Sequence, residues 1–229
     1  MDSATTSEEH VSISIDEKHA GHSDVPPERC IFKVREKLRK INPDAYEPEV
    51  VAIGPYHREK ANVQGMEEFK LQYLRSLLAR KKETSAERYI IAMRKLEEKA
   101  RKCYAEPISL TSDEFVHMML LDGCFIIELF LKYSNKVRRD KNDPIFRTYW
   151  MIGRLRLDLI LFENQLPFFI LLKLYDLIIE DPKPDEFIHI AFDFFGFLFK
   201  SHGLSDFDRE SVHNVQHLLY YTVAYALHL

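Results

Sequence analysis

Residues 158–171 read Asp158-Leu159-Ile160-Leu161-Phe162-Glu163-Asn164-Gln165-Leu166-Pro167-Phe168-Phe169-Ile170-Leu171, two apolar runs joined by a polar trio and a proline. Proline has no N–H to donate and clashes with the preceding turn, so one uninterrupted helix is excluded. Its favoured place is the first turn of a new helix, where amides lack partners anyway. The stretch therefore predicts a corner between two buried helices around Pro167. Asn164 is expected to cap the second helix, with Glu163 near its positive end.

Helical patterning extends in both directions. The fourth helix is expected over Ile145–Phe162, and the helix after Pro167 is expected to end near Ile179. Upstream, the first helix is placed at Met66–Lys82 and the second after Thr84-Ser85-Ala86-Glu87, a capping-box pattern. The third opens with the same kind of box, Thr111-Ser112-Asp113-Glu114. It is apolar nearly all round through Met118–Phe130, so it belongs at the centre. Asp122 inside it must be paired, and Gly123 implies that another helix approaches closely. Phe187–Phe199 holds six phenylalanines and is read as helix, although periodicity alone does not separate it from a strand. A last helix is expected over Val212–Leu227, capped by Ser211.

Before these helices, Cys30–Ile41 places Ile31, Val34, Leu38 and Ile41 at helical spacing, with Lys33, Lys37 and Lys40 around the rest of the wheel. Such a helix can lie on an anionic membrane, but a short core helix with solvated lysines is the preferred reading. Prolines 43, 48 and 55 exclude a long helix between residues 42 and 64, leaving one short extended segment around Val50–Ile53. The fold class is all-α: an irregular multi-helix domain with an extended, proline-rich segment near its N-terminus. Residues 1–28 are expected as a disordered acidic tail, and 29–229 as one helical domain incomplete at its C-terminus.

Bulk properties limit the functions. The chain has 229 residues, a formal charge of −4 and 7 glycines. Few positions can therefore take positive φ cheaply, and nothing global argues for nucleic acid. Residues 79–102 hold nine basic and four acidic groups, read as a solvated face. Cys30, Cys103 and Cys124 form no C-x-x-C pattern, which points to reduced thiols and a soluble, cytoplasmic chain. The acidic, Ser/Thr-rich start is not expected to be a secretory signal, and no uninterrupted apolar span is long enough to cross a bilayer.

Few residues offer chemistry. Cys124 with Asp122 and a histidine is the only cysteine-based candidate, yet a buried thiol is a poor nucleophile. His57 beside Tyr56 is read as a structural hydrogen-bonder. His213 and His217 share a helix face but lack a third ligand and the glutamate of H-E-x-x-H. Nucleotide-binding and hydrolase glycine motifs are missing. Catalytic, metal and cofactor residues are accordingly assigned to none. Asp122, Glu163, Asn164, Gln165, Pro167 and His57 are instead candidates for a buried structural network linking the Asp-Gly-Cys helix to the corner.

Four motifs in order carry a resemblance: Cys30-Ile31-Phe32-Lys33-Val34, Ile53-Gly54-Pro55-Tyr56-His57, Leu120-Leu121-Asp122-Gly123-Cys124-Phe125, and Leu161 to Phe169 through the corner. Together they are similar to the plant-specific family called domain of unknown function 247, over about Cys30 to Leu229. Near the end, His217-Leu218-Leu219 matches a family His-Leu-Leu motif, with Tyr220 in place of the usual Asp. The resemblance implies a longer plant protein that ends in a single membrane-spanning anchor absent from this chain. It also implies an association with membranes and no established catalytic activity. Some grass relatives are implicated in pollen–stigma self-incompatibility, which suggests recognition between proteins. The expected function is a non-catalytic interaction module. The alternatives are a hydrolase or transferase using Cys124 or His57, or an inactive truncated product.

Overall fold

The computed structural model describes residues 29–199. The expected tail over 1–28, the helix at Val212–Leu227, and His213 and His217 lie outside them. Eight α-helices occur among the described residues: α1 (Glu36–Arg39), α2 (Gly65–Lys81), α3 (Glu87–Lys102), α4 (Ser112–Tyr133), α5 (Pro144–Arg147), α6 (Met151–Leu159), α7 (Phe168–Ile178) and α8 (Pro184–Phe199). Single 3₁₀ turns sit at Pro43–Tyr46 and Ala61–Val63. Among these residues there is no sheet, only an isolated parallel bridge between Ile31 and Tyr104.

The all-round apolar helix is the axis. In α4 every residue from Phe115 to Lys132 except His117 is buried, and α2, α3, α7 and α8 all pack on it. Full burial of one Leu, Ile or Phe side chain is worth about 1.5–3 kcal/mol, so this helix anchors the core. Its start is the expected capping box: Thr111 Oγ1 accepts from Glu114 N, and Glu114 reaches back to Thr111 N at 2.8 Å. Gly123 marks the close approach. A Cβ built there would lie 2.3 Å from Leu174 Cδ1 of α7. The phenylalanine run is helical, and Phe187, Phe194 and Phe195 stack around Phe130 of α4.

Four boundaries differ from the expectation. Residues 145–162 form two helices, not one. Asp143 caps α5 through Ile145 N, with Pro144 in the first turn. The chain then breaks at Thr148-Tyr149-Trp150, β-branched and aromatic residues of poor helix propensity whose two rings are exposed. α3 begins without a capping box, since Ser85 accepts from Glu87 N while Ala86 holds the cap position. Pro167 sits at the cap position of α7, one residue before the helix, and no side chain caps it. Finally, helix at the N-terminal side is only the single turn α1. Cys30 N and Ile31 N both donate to Cys103 O at 2.9 Å, and Ala105 N donates to Ile31 O. That pairing holds residues 30–31 extended, so Ile31 is buried while Leu38 and Ile41 are exposed.

Candidate functional site

The site forms where the segment between Pro48 and Pro55 passes the corner. It has no regular secondary structure at Val51–Ile53 and no neighbouring strand, and Val51, Ala52 and Ile53 are essentially inaccessible to solvent. Buried amides must be satisfied, and side chains from three helical regions do it. Asp158, in the last turn of α6, takes three: Glu49 N at 3.1 Å on Oδ1, then Val50 N at 2.8 Å and Val51 N at 2.9 Å on Oδ2. Asn164 Oδ1 accepts from Ile53 N at 2.6 Å and its Nδ2 donates to Val51 O at 2.9 Å. Asp122 Oδ2 of α4 accepts from Gly54 N at 2.8 Å. Lys70 Nζ of α2 donates to Ala52 O at 2.6 Å. The side chains thus supply what a partner strand supplies elsewhere.

Gly54 has no substitute here. Its φ is +74°, and a Cβ would fall 2.5 Å from Gln165 O, the carbonyl that also accepts from Tyr104 OH at 3.1 Å.

The corner amides act at the opposite end from the one expected. Asn164 does not cap α7; its Nδ2 donates to Asp158 O at 2.9 Å. Gln165 Nε2 donates to Leu159 O and Leu161 O, both at 2.8 Å. Asp158 and Leu159 end α6 and Leu161 lies two residues beyond it, where carbonyls lack the regular helical donor; Asp158 O and Leu161 O also accept from Leu161 N and Asn164 N. The polar trio closes the first helix of the corner and leaves the second to start on Pro167.

Electrostatics follow from burial. Lys70 Nζ lies 2.6 Å from both Asp122 Oδ1 and Glu67 Oε1. Burial pulls its ammonium down, but the two carboxylates outweigh that and hold its pKa above the usual lysine value. Burial pushes the Asp122 carboxyl up, against the pull of Lys70 and Gly54 N. Asp158 is likewise raised by burial in spite of its three amide donors.

Glu163 links the corner to the N-terminal segment. It accepts from Val34 N and pairs with the Arg39 guanidinium. Its Oε2 is 3.4 Å from His57 Nε2. His57 is not the expected hydrogen-bonder, because neither ring nitrogen makes a hydrogen bond. Burial lowers its pKa from 6.5 to about 4, with Lys60 adding to the effect and Glu163 opposing it. Its neighbour Tyr56 accepts from Glu106 N through its hydroxyl and does not pair with it.

The three cysteines are enclosed. Cys124 is wholly buried, and burial raises its thiol above the ordinary value. Cys30 and Cys103 are free and buried, with the Cys30 thiol raised chiefly by its hydrogen bond with Cys103. Among the described residues no group of three His, Cys, Asp or Glu side chains is placed to hold a metal. No helix among them is long and apolar enough to cross a membrane.

Lys70, Asp158 and Arg39 were missed as site residues. For two of them the signal was present. Lys70 falls on the same stripe of α2 as Met66, Tyr73, Leu74 and Leu77, and Asp158 interrupts Leu157 and Leu159. A charge on an apolar stripe must find a buried partner.

Comparisons with known proteins agree with these landmarks. The family model for domain of unknown function 247, described as plant protein of unknown function, matches residues 31–228. UPF0481 protein At3g47200 of Arabidopsis thaliana is 41% identical over 148 residues, which is 64% of this chain and 31% of that protein. Putative UPF0481 protein At3g02645 of the same plant is 28% identical over 158 residues, 67% of this chain and 28% of that protein. The chain thus spans less than a third of the length of these curated relatives. No solved structure matches it. With the matched region running from the buried Ile31 through the corner and beyond, the chain belongs to the domain of unknown function 247 family of plant proteins.

Proposed function

We propose that this domain is a non-catalytic recognition module, tethered to a membrane in the complete protein, that presents its surface to a protein partner. One observation carries the reading. Cys124, His57, Asp122, Glu163, Asn164 and Gln165, the side chains among the described residues that offered chemistry, are none of them more than 3% exposed. A catalytic group must reach a substrate, and these reach only the protein interior. What the surface offers is apolar: Tyr149, Trp150, Leu157 and Phe162 are exposed. Leu157 and Phe162 also border a groove of about 460 Å³ with Tyr46 and the Glu49–Arg154 ion pair at its rim.

Thiol labelling of the folded chain, read cysteine by cysteine by mass spectrometry, tests it. Cys124 is expected to label only as fast as the protein unfolds. Rapid labelling of Cys124 under native conditions overturns the reading and restores a thiol enzyme.

A further inference from the structure

The segment Arg29-Cys30-Ile31-Phe32-Lys33-Val34-Arg35-Glu36-Lys37-Leu38-Arg39-Lys40-Ile41 carries six basic residues and a single acid. Cys30 and Ile31 enter the core, where their amides meet Cys103 O. Arg39 turns towards Glu163 and Glu47. The rest faces outward. Phe32 is 40% exposed, Leu38 49% and Ile41 80%. Arg29, Lys33, Arg35, Lys37 and Lys40 are all exposed among them. Large apolar side chains in water lose free energy with nothing to offset it, and here they alternate with cations that have no acidic partner on the segment beyond Glu36.

We propose that residues 29–41 are a peripheral docking site for an anionic phospholipid bilayer. Phe32, Leu38 and Ile41 enter the boundary between headgroups and acyl chains, while the five exposed cations meet lipid phosphates and carboxylates. Charge complementarity selects the partner. A surface of this composition gains both from apolar burial and from attraction to anionic headgroups. A single-stranded nucleic acid would be held by successive aromatic stacking platforms along a cationic groove, and the segment offers Phe32 alone, since Leu38 and Ile41 do not stack. The pairing of residues 30–31 with residues 103–105 holds the segment against the body of the domain, so docking needs no anchor elsewhere in the chain.

The full chain would be sedimented with vesicles of phosphatidylcholine alone and of phosphatidylcholine mixed with phosphatidylserine. Binding is expected only to the mixed vesicles, and it falls as salt rises. Replacing Lys37 and Lys40 by alanine is expected to weaken binding about fivefold per residue. The pair Leu38→Ser and Ile41→Ser is expected to weaken it about tenfold or more, through lost apolar burial. All four positions are exposed, so melting temperatures serve as the control for folding. Alanine at Arg138 and Lys141, cations on another loop, is expected to cost little. Four outcomes overturn the proposal: no sedimentation with mixed vesicles, equal binding to neutral ones, equal losses from the control pair, or binding of a single-stranded RNA oligonucleotide in place of lipid. The vesicle result leaves Cys124 untouched, so it is distinguishable from failure of the recognition reading.

Discussion

Polar side chains turn inward around the corner at residues 158–165, whereas apolar side chains turn outward between Phe32 and Ile41. At the corner, Asp158, Glu163, Asn164 and Gln165 are all buried, and each has backbone groups within reach. Along the N-terminal segment the backbone is committed elsewhere. Its amides go to Cys103 O and to Glu163, which fixes which side chains can reach the core. The contrast teaches that burial here follows main-chain bonding before side-chain polarity. A carboxylate is tolerated inside when N–H groups meet it, and a leucine is left outside when the chain carrying it is tied down.

Breaking the interior half gives the largest effect. Lys70→Met leaves the Asp122 carboxylate buried without its cation, which is expected to cost about 3–5 kcal/mol in urea unfolding. Adding Asp122→Asn removes the orphaned charge and is expected to recover part of that loss. A cost near zero for Lys70→Met alone would remove the distinction between the two regions.

The next effect is a pH dependence. His57 is nearly inaccessible and its pKa is lowered to about 4, so between pH 6.5 and 4 the unfolded chain takes up a proton that the native chain refuses. Stability therefore falls as pH drops through that window, by up to about 3 kcal/mol from this residue. Above pH 6.5 both forms are neutral and His57 contributes no slope. The raised carboxyls of Asp122, Asp158 and Glu128 act in the opposite sense, since acid relieves the cost of their buried charge. The comparison that isolates the histidine is His57→Gln against the parent chain, followed by urea unfolding at several pH values. The variant is expected to lack the acid-side loss.

Asn164→Ala leaves Ile53 N, Val51 O and Asp158 O without their shared partner and is expected to cost about 1–3 kcal/mol, read as a lower melting temperature. The smallest effect sharpens the other half of the contrast. Leu38→Ser and Ile41→Ser are each expected to change stability by less than about 0.5 kcal/mol, because these side chains already face water. A loss as large as that of Asn164→Ala would place them in the core after all.

Much of this architecture was legible beforehand. The apolar girth of Met118–Phe130 and the Thr111 box act through local chemistry and appear where expected, and the proline break falls at the corner, with Pro167 one residue before α7 and not in its first turn. The need of Asp122 for a partner was also readable, though the identity of Lys70 was not, because 52 residues separate the two. The end of the corner that Asn164 serves was misread for a similar reason. A cap position is recognised from its neighbours in sequence, but Asp158 O of α6, Val51 O and Ile53 N compete for the same side chain. The short α1 was hidden by the pairing at Cys103, a contact across seventy-odd residues that periodicity does not register.

The passage from Glu49 to Gly54 is gripped by its peptide groups, and every amino acid but proline presents the same N–H. Substitution tolerance should therefore be lopsided across this contact. At the solvent-facing Glu49 or the half-buried Val50, most exchanges leave the grip unchanged, while Asp158 and Asn164 have almost no replacements that bond the same atoms. In a saturation library Asp158 and Asn164 would stand out as intolerant while Glu49 and Val50 would look unremarkable, although both sides make the same bonds.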